Sequence, residues 1–148
     1  MRTFECDNEV GSVALYPNGD RVAVCTEETL YVWDTATQLL IASEEISECL
    51  HVAVSNDGKW LAVRAGISIL LYDASTLDCI WSHYWKSWFI SFSPDSCQLV
   101  SANYEQVSLI DIQTGNCIKS FTHFNARRAI FSHDGTRVLS GESCSVAL

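Results

Sequence analysis

The sequence predicts an all-β chain made of a repeated four-stranded antiparallel sheet. Three observations predict it. Short apolar runs rich in Val, Ile and Leu alternate with tight turns, which is the pattern of strands. A turn signal recurs, because Asn18, Asp57, Asp95 and Asp134 are separated by 39, 38 and 39 residues. A second mark steps by 39 and 38: Trp33-Asp34, Tyr72-Asp73 and Ile110-Asp111. Two independent registers with one spacing define a unit of roughly 40 residues.

Each unit resolves into four strands. The first reads "SVALY", the turn "PNGD", then "RVAVCT", "TLYVWDT" and "QLLIAS". The second reads "LHVAVS", "NDGK", "WLAVRA", "SILLYD" and "LDCIWSH". The third reads "WFISFS", "PDSC", "QLVSAN", "VSLIDI" and "CIKSFT". Asn-Gly and Asp-Gly tolerate the positive φ that two-residue hairpin turns need. Asp34, Asp73 and Asp111 each precede a Thr or Ser, a setting for side-chain-to-backbone turns. No segment holds helical periodicity beyond two turns. The units run at about 10–45, 46–85 and 86–124, with a partial fourth at 125–148 and an outer strand from an adjoining blade at 1–9.

A four-stranded sheet with two apolar faces must stack on neighbours, and the radial solution is a β-propeller. The stretches "YPNGDRVAV…LYVWDT", "FSPDS…LIDIQTG" and "FSHDGTRVLSG" resemble the WD-repeat family. "RTFECDNEVGSVALYPNG" resembles a junction between two such repeats. The repeats are degenerate. The family's structural His position holds Cys6, Glu45 and His83, and His123 stands one residue out of register. The family Asp position holds Glu27, Gly66 and Tyr104. A complete His–Ser–Asp–Trp network is therefore absent, and packing between blades must supply most of the stability.

The resemblance implies three complete four-stranded blades plus a partial fourth. The fourth unit supplies "RRAIFS", "RVLSGE" and "SVAL", without an outermost strand, whereas "RTFEC" reads as an outermost strand without a unit. Three closures follow. Residues 2–6 could complete the last sheet in a four-bladed ring, two chains could pair as a homodimer with an eight-bladed ring, or the array could be part of a longer propeller.

Composition narrows the function. Apolar residues make up 48%, too many for a disordered tail. The net charge of −9 disfavours nucleic acid and favours a protein partner with a basic surface. No apolar run approaches the roughly 18 residues of a bilayer-crossing helix, and "MRTFECDNEV" has no signal core. The expectation is a cytoplasmic or nuclear protein with no membrane partner. Seven cysteines at wide spacings, without C-x-x-C, read as reduced thiols filling the core.

No catalytic constellation emerges. G-x-S-x-G and phosphate-binding glycine loops are both missing. His51, His83, His123 and His133 lie at positions that do not converge, so no metal or other cofactor is expected. The innermost strands, "VALY", "HVAVS", "FISFS" and "AIFS", are mostly apolar, against an enzyme or ligand binder using a central channel. A sensor module within a larger regulatory protein is implied by the resemblance alone.

The loops into each first strand and those between second and third strands share one rim. That rim is predicted to carry Glu5, Asp7, Glu9, Glu27, Glu28, Glu44, Glu45, Glu48, Glu105 and Glu142. Such acids serve solubility or steer a basic partner. Few bases oppose them: Lys86, Arg127 and Arg128. "SHYWKSWF" places Tyr84, Trp85, Lys86 and Trp88 on the same rim. These aromatics would anchor a partner or cap the blade's upper core. Trp33, Trp60 and Trp81 fall in strands as packing residues. The expected function is a non-catalytic protein-protein interaction scaffold. Its partner-binding residues would be Tyr84, Trp85, Lys86 and Trp88, surrounded by Glu27, Glu28, Glu44, Glu45 and Glu48.

Overall fold

In a computed structural model, residues 3–141 and 146–147 are described. The first sheet holds β1 (Val10–Leu15), β2 (Arg21–Thr26), β3 (Thr29–Asp34) and β4 (Leu40–Glu45). The second holds β5 (Cys49–Val54), β6 (Trp60–Ala65), β7 (Ser68–Asp73) and β8 (Cys79–Tyr84). The third holds β9 (Phe89–Phe92), β10 (Gln98–Ala102), β11 (Gln106–Asp111) and β12 (Cys117–Thr122). The fourth holds β13 (Arg128–Phe131), β14 (Val138–Gly141) and β15 (Val146–Ala147). Each sheet is an antiparallel meander in chain order. No helix occurs among the described residues.

Sheet packs on sheet through the apolar faces that the strand alternation creates. Leu30 and Val32 of the first sheet meet Val52, Leu61 and Val63 of the second in one core. Ile69 and Leu71 of the second meet Ile90, Leu99 and Ile110 of the third. Val100, Ala102 and Val107 meet Ala126 and Ala129 at the third junction. The inner strands lie side by side, β1 on β5, β5 on β9 and β9 on β13. Each sheet therefore covers a face of its neighbour, as propeller blades do.

Val13 and Leu15 on the outward face of the first sheet are 62% and 61% exposed, so among the described residues no sheet closes on that face to complete a four-bladed ring. Residues 3–6, expected as an outermost strand, pair with no sheet. Phe4 instead lies on Trp33 with ring centroids 5.8 Å apart, and the Gln38 side-chain amide donates to the Thr3 carbonyl at 3.0 Å. The expected meeting of residues 2–6 with residues 145–148 involves positions outside the described residues, as do Glu142 and Cys144.

The turns on one rim repeat atom for atom. The Ser55, Ser93 and Ser132 hydroxyls each donate to Oδ1 of Asp57, Asp95 and Asp134 at 2.6 Å. Each carboxylate also accepts the backbone N–H two residues on, from Lys59, Cys97 and Thr136. In the first sheet Tyr16 replaces this serine, and its hydroxyl crosses the junction to donate to the Ala74 carbonyl at 3.0 Å. The β3–β4, β7–β8 and β11–β12 turns close on Asp34, Asp73 and Asp111, whose carboxylates accept from Thr37, Thr76 and Thr114 amides. Each of these turns bends at positive φ, at Gln38, Leu77 and Gly115.

Cysteine usage differs from the sequence expectation. Cys25 and Cys49 form a disulfide across the first junction, with Cα atoms 5.5 Å apart. Cys79, Cys97 and Cys117 are exposed and not core fillers, because the first and last of them open outer strands and Cys97 sits in a turn. A spacing of 24 residues carries no repeat signal, so the pairing was illegible in the sequence.

Two outcomes follow. Hydrogen bonds hold the carboxyls of Asp34, Asp73 and Asp95 below the usual range, and the Ser132 hydroxyl takes Asp134 to about 2. Such carboxylates stabilise the fold above the unfolded value of about 4 and lose that contribution as pH falls through the folded values. Each contribution is small because solvent screens these exposed groups. Thermal melts are expected to drop between pH ~4 and ~2, and Asp134→Asn to flatten part of that drop. Separately, Gly115 has φ +68°, and a Cβ there would run into His83 and Trp81. Gly115→Ala is expected to cost about 1–3 kcal/mol in denaturant unfolding.

Candidate protein-interaction face

The other rim is built from hairpin turns tied to the loops that lead into the next sheet. Ile46 and Cys49 amides donate to the Glu28 and Glu27 carbonyls at the first junction. The Trp85 amide donates to the Ile67 carbonyl at the second, and Asn125 to Tyr104 at the third. These bonds bring the β2–β3, β6–β7 and β10–β11 turns level with residues 46–48, 85–88 and 123–127.

At the second junction these loops enclose a cleft of about 430 Å³, bordered by Arg64, Lys86, Trp88, Asn103, Tyr104 and Glu105. Its floor is fixed by hydrogen-bonded polar groups, of which Ser87 and Ser101 are buried. The Arg64 Nη1 donates to the Ser87 carbonyl at 2.9 Å. The hydroxyls of Ser101 and Ser87 bond at 2.9 Å. The Asn103 amide nitrogen donates to the Lys86 carbonyl at 2.8 Å, while its oxygen accepts the Glu105 and Gln106 amides. Its wall is an aromatic pair: the Trp88 and Tyr104 rings meet edge-on with centroids 6.2 Å apart. Trp88 is 44% exposed and Tyr104 56% exposed, so the pair presents apolar area to solvent.

The sequence-selected residues divide. Lys86 and Trp88 border the cleft. Tyr84 is exposed at the end of β8, outside the cleft lining. Trp85 is half-buried and packs against the core of the second junction, which is the capping role weighed for it. Glu48 carries its carboxylate up against Gly66, at the cleft's edge. Glu27 and Glu28 are exposed on the first hairpin, where Glu28 accepts a 3.3 Å bond from Asn8. Glu45 is exposed at the end of β4. Glu44 faces the second sheet, where burial and its negative charge together push the Cys79 thiol up. Glu27, Glu28 and Glu48 therefore share the rim of the first junction, beside the cleft of the second.

Sequence reasoning missed Arg64, Asn103 and Tyr104. One signal for Arg64 was available: a charge inside the otherwise apolar strand "WLAVRA". Tyr104 stood out only as a departure from the family Asp position.

The histidines do not meet. His51 packs tilted against Phe89 with ring centroids 4.7 Å apart, and burial pulls its pKa down to about 4, so it is neutral near pH 7. His83 packs on Trp81 at 5.3 Å. His123 Nδ1 lies 2.6 Å from the Ser140 hydroxyl, giving one His–Ser contact of the network the resemblance implies. Among the described residues no three His, Cys, Asp or Glu side chains gather as metal ligands.

Comparison with known proteins agrees with this architecture. A family model described as WD domain, G-beta repeat matches residues 1–34. An uncharacterized WD repeat-containing protein of Synechocystis sp. is 23% identical over 142 residues, covering 89% of this chain and 41% of its own length. The solved Kuenenia stuttgartiensis hydrazine synthase superposes with a TM-score of 0.77 at 20% identity, over 89% of this chain and 43% of that one. The structure of U3-55K superposes with a TM-score of 0.74 at 15% identity, over 80% of this chain and 41% of that one. The chain thus spans about two fifths of the length of the proteins it matches. The two superpositions show the fold alone.

Truncation should separate the two tryptophans. Trp85→Ala is expected to cost about 1–3 kcal/mol of unfolding free energy, and Trp88→Ala to stay within about 0.5 kcal/mol. Urea titration of both variants checks this.

Proposed function

We propose that this chain, an array of WD-repeat propeller blades, is a non-catalytic protein-interaction scaffold that binds its partner on the rim of Trp88, Tyr104 and the neighbouring glutamates. One observation carries the reading. Large aromatic side chains stand exposed on a rim whose turns and lead-in loops are tied together by backbone hydrogen bonds, which is how interface anchors are presented. Rigid anchors lose little entropy on binding, so contact area there converts efficiently into affinity.

The acids support a division of labour between the rims. On the turn rim the aspartates accept hydrogen bonds that shape the turns. On the loop rim Glu27, Glu45 and Glu48 are exposed and shape no such turn. An unspent negative field of this kind speeds encounter with a basic partner. The partner would therefore be a protein with a basic surface.

Selection of displayed random dodecapeptides on the full chain tests the reading. Wild type is expected to enrich peptides whose binding falls at least about ten-fold on Trp88→Ala or Tyr104→Ala, with melting temperatures unchanged. Equal enrichment on wild type and variants would contradict it.

A further inference from the structure

The three blade junctions solve one packing problem in three ways. Cys25 and Cys49 stand one repeat before Arg64 and Ser87, and Ala102 and Ala126 stand one repeat after. The first pair is bonded through sulfur. The last pair consists of two fully buried alanines in the third core. The middle pair is a guanidinium donating to a carbonyl. Neutral groups do the structural work at two junctions, so the architecture does not require a charge at the third.

That charge is costly where it stands. Burial draws the Arg64 pKa downward against the opposing pull of the Glu48 charge, and Arg64 Nε is buried with no hydrogen-bond partner. Among the described residues the one ion pair is Lys59 with Asp57, so neither Arg64 nor Lys86 has a carboxylate within 4.0 Å. Two cations thus border one cleft without an ion pair, with the Glu48 charge acting on Arg64 from further off, next to an exposed aromatic pair. A half-buried cation without an ion pair is expected to take an anion when one is offered.

We infer that the cleft between the second and third sheets binds a single peptide carboxylate, an Asp or Glu side chain next to an aromatic residue. The carboxylate sits between Arg64 and Lys86, and the aromatic residue lies on Trp88 and Tyr104. A planar carboxylate matches the guanidinium fork. Glu105 on the cleft wall and Glu48 beside Gly66 repel further negative charge, which selects one carboxylate over a phosphate dianion or an acidic run. The whole chain's net charge of −9 opposes nucleic acid on the same ground. The inference rests on the proposed interaction rim and adds its specificity: one acidic residue within an otherwise basic partner.

The test is an NMR titration of the full chain with acetyl-Phe-Glu-amide, acetyl-Phe-Gln-amide and acetyl-Phe-Lys-amide. The Glu peptide is expected to shift the amides of Lys86, Ser87, Trp88 and Tyr104 and to bind about ten-fold tighter than the Gln peptide. Lys86→Glu, on an exposed side chain, is expected to abolish that preference without unfolding the chain, and Arg64→Met to weaken it. Equal or stronger binding of the Gln or Lys peptide at the same amides overturns the carboxylate site and leaves the interaction rim standing. No shift at those amides with any peptide overturns both.

Discussion

A four-stranded sheet whose two faces are both apolar has no stable existence in water by itself. Everything else in this molecule depends on that. Leu30 and Val32 need Leu61 and Val63, and Ile69 and Leu71 need Leu99 and Ile110. Each face is a strand's alternate side chains, so the register that places Leu61 toward the first sheet places Ala62 toward the third. Neighbouring sheets are thereby locked at a fixed spacing. The hairpin turns of one sheet then meet the lead-in loops of the next at every junction. The cleft of the second junction is a by-product of stacking: it sets Arg64 of the second sheet against Trp88 and Tyr104, which β9–β10 pairing within the third sheet holds together.

The two rims use their carboxylates differently, and side-chain length explains why. Aspartate is short enough to accept from the backbone two or three residues on, and it does so at six turns. Glutamate reaches past the turn into solvent. The composition looks uniformly acidic, yet six of the eighteen acids are committed to turn geometry while Glu27, Glu45 and Glu48 are presented outward. Net charge alone would not have distinguished these uses.

Most of the fold was legible in the sequence because the repeat repeats its turn chemistry. Asn18, Asp57, Asp95 and Asp134 fixed the spacing, and the strands fell between them where the structure has them. The site was legible in part. Lys86 and Trp88 were found from an aromatic run in a loop, but the same run contains Trp85, which turns inward. Which way a loop residue points depends on the bond from the Trp85 amide to Ile67, a contact 18 residues away in the chain. Tyr104 is brought to Lys86 by the pairing of β9 with β10, and Arg64, from another blade, became its neighbour only through stacking. The Cys25–Cys49 disulfide was hidden for the same reason. Residues 2–6 resemble an outer strand in pattern, but a strand needs an edge to pair with, and residues 3–6 have aromatic and side-chain contacts instead.

Native-state hydrogen exchange on Leu61→Ala bears most directly on the dependence of each sheet on its neighbours. Leu61 is fully buried at the first junction. If the sheets stand only by stacking, its truncation lowers protection in β2 and β6 and also in β10 of the third sheet, which it does not join in any core cluster. Loss of protection confined to the first two sheets, with β10 exchanging as in wild type, would show that the blades hold themselves up singly and would contradict the account.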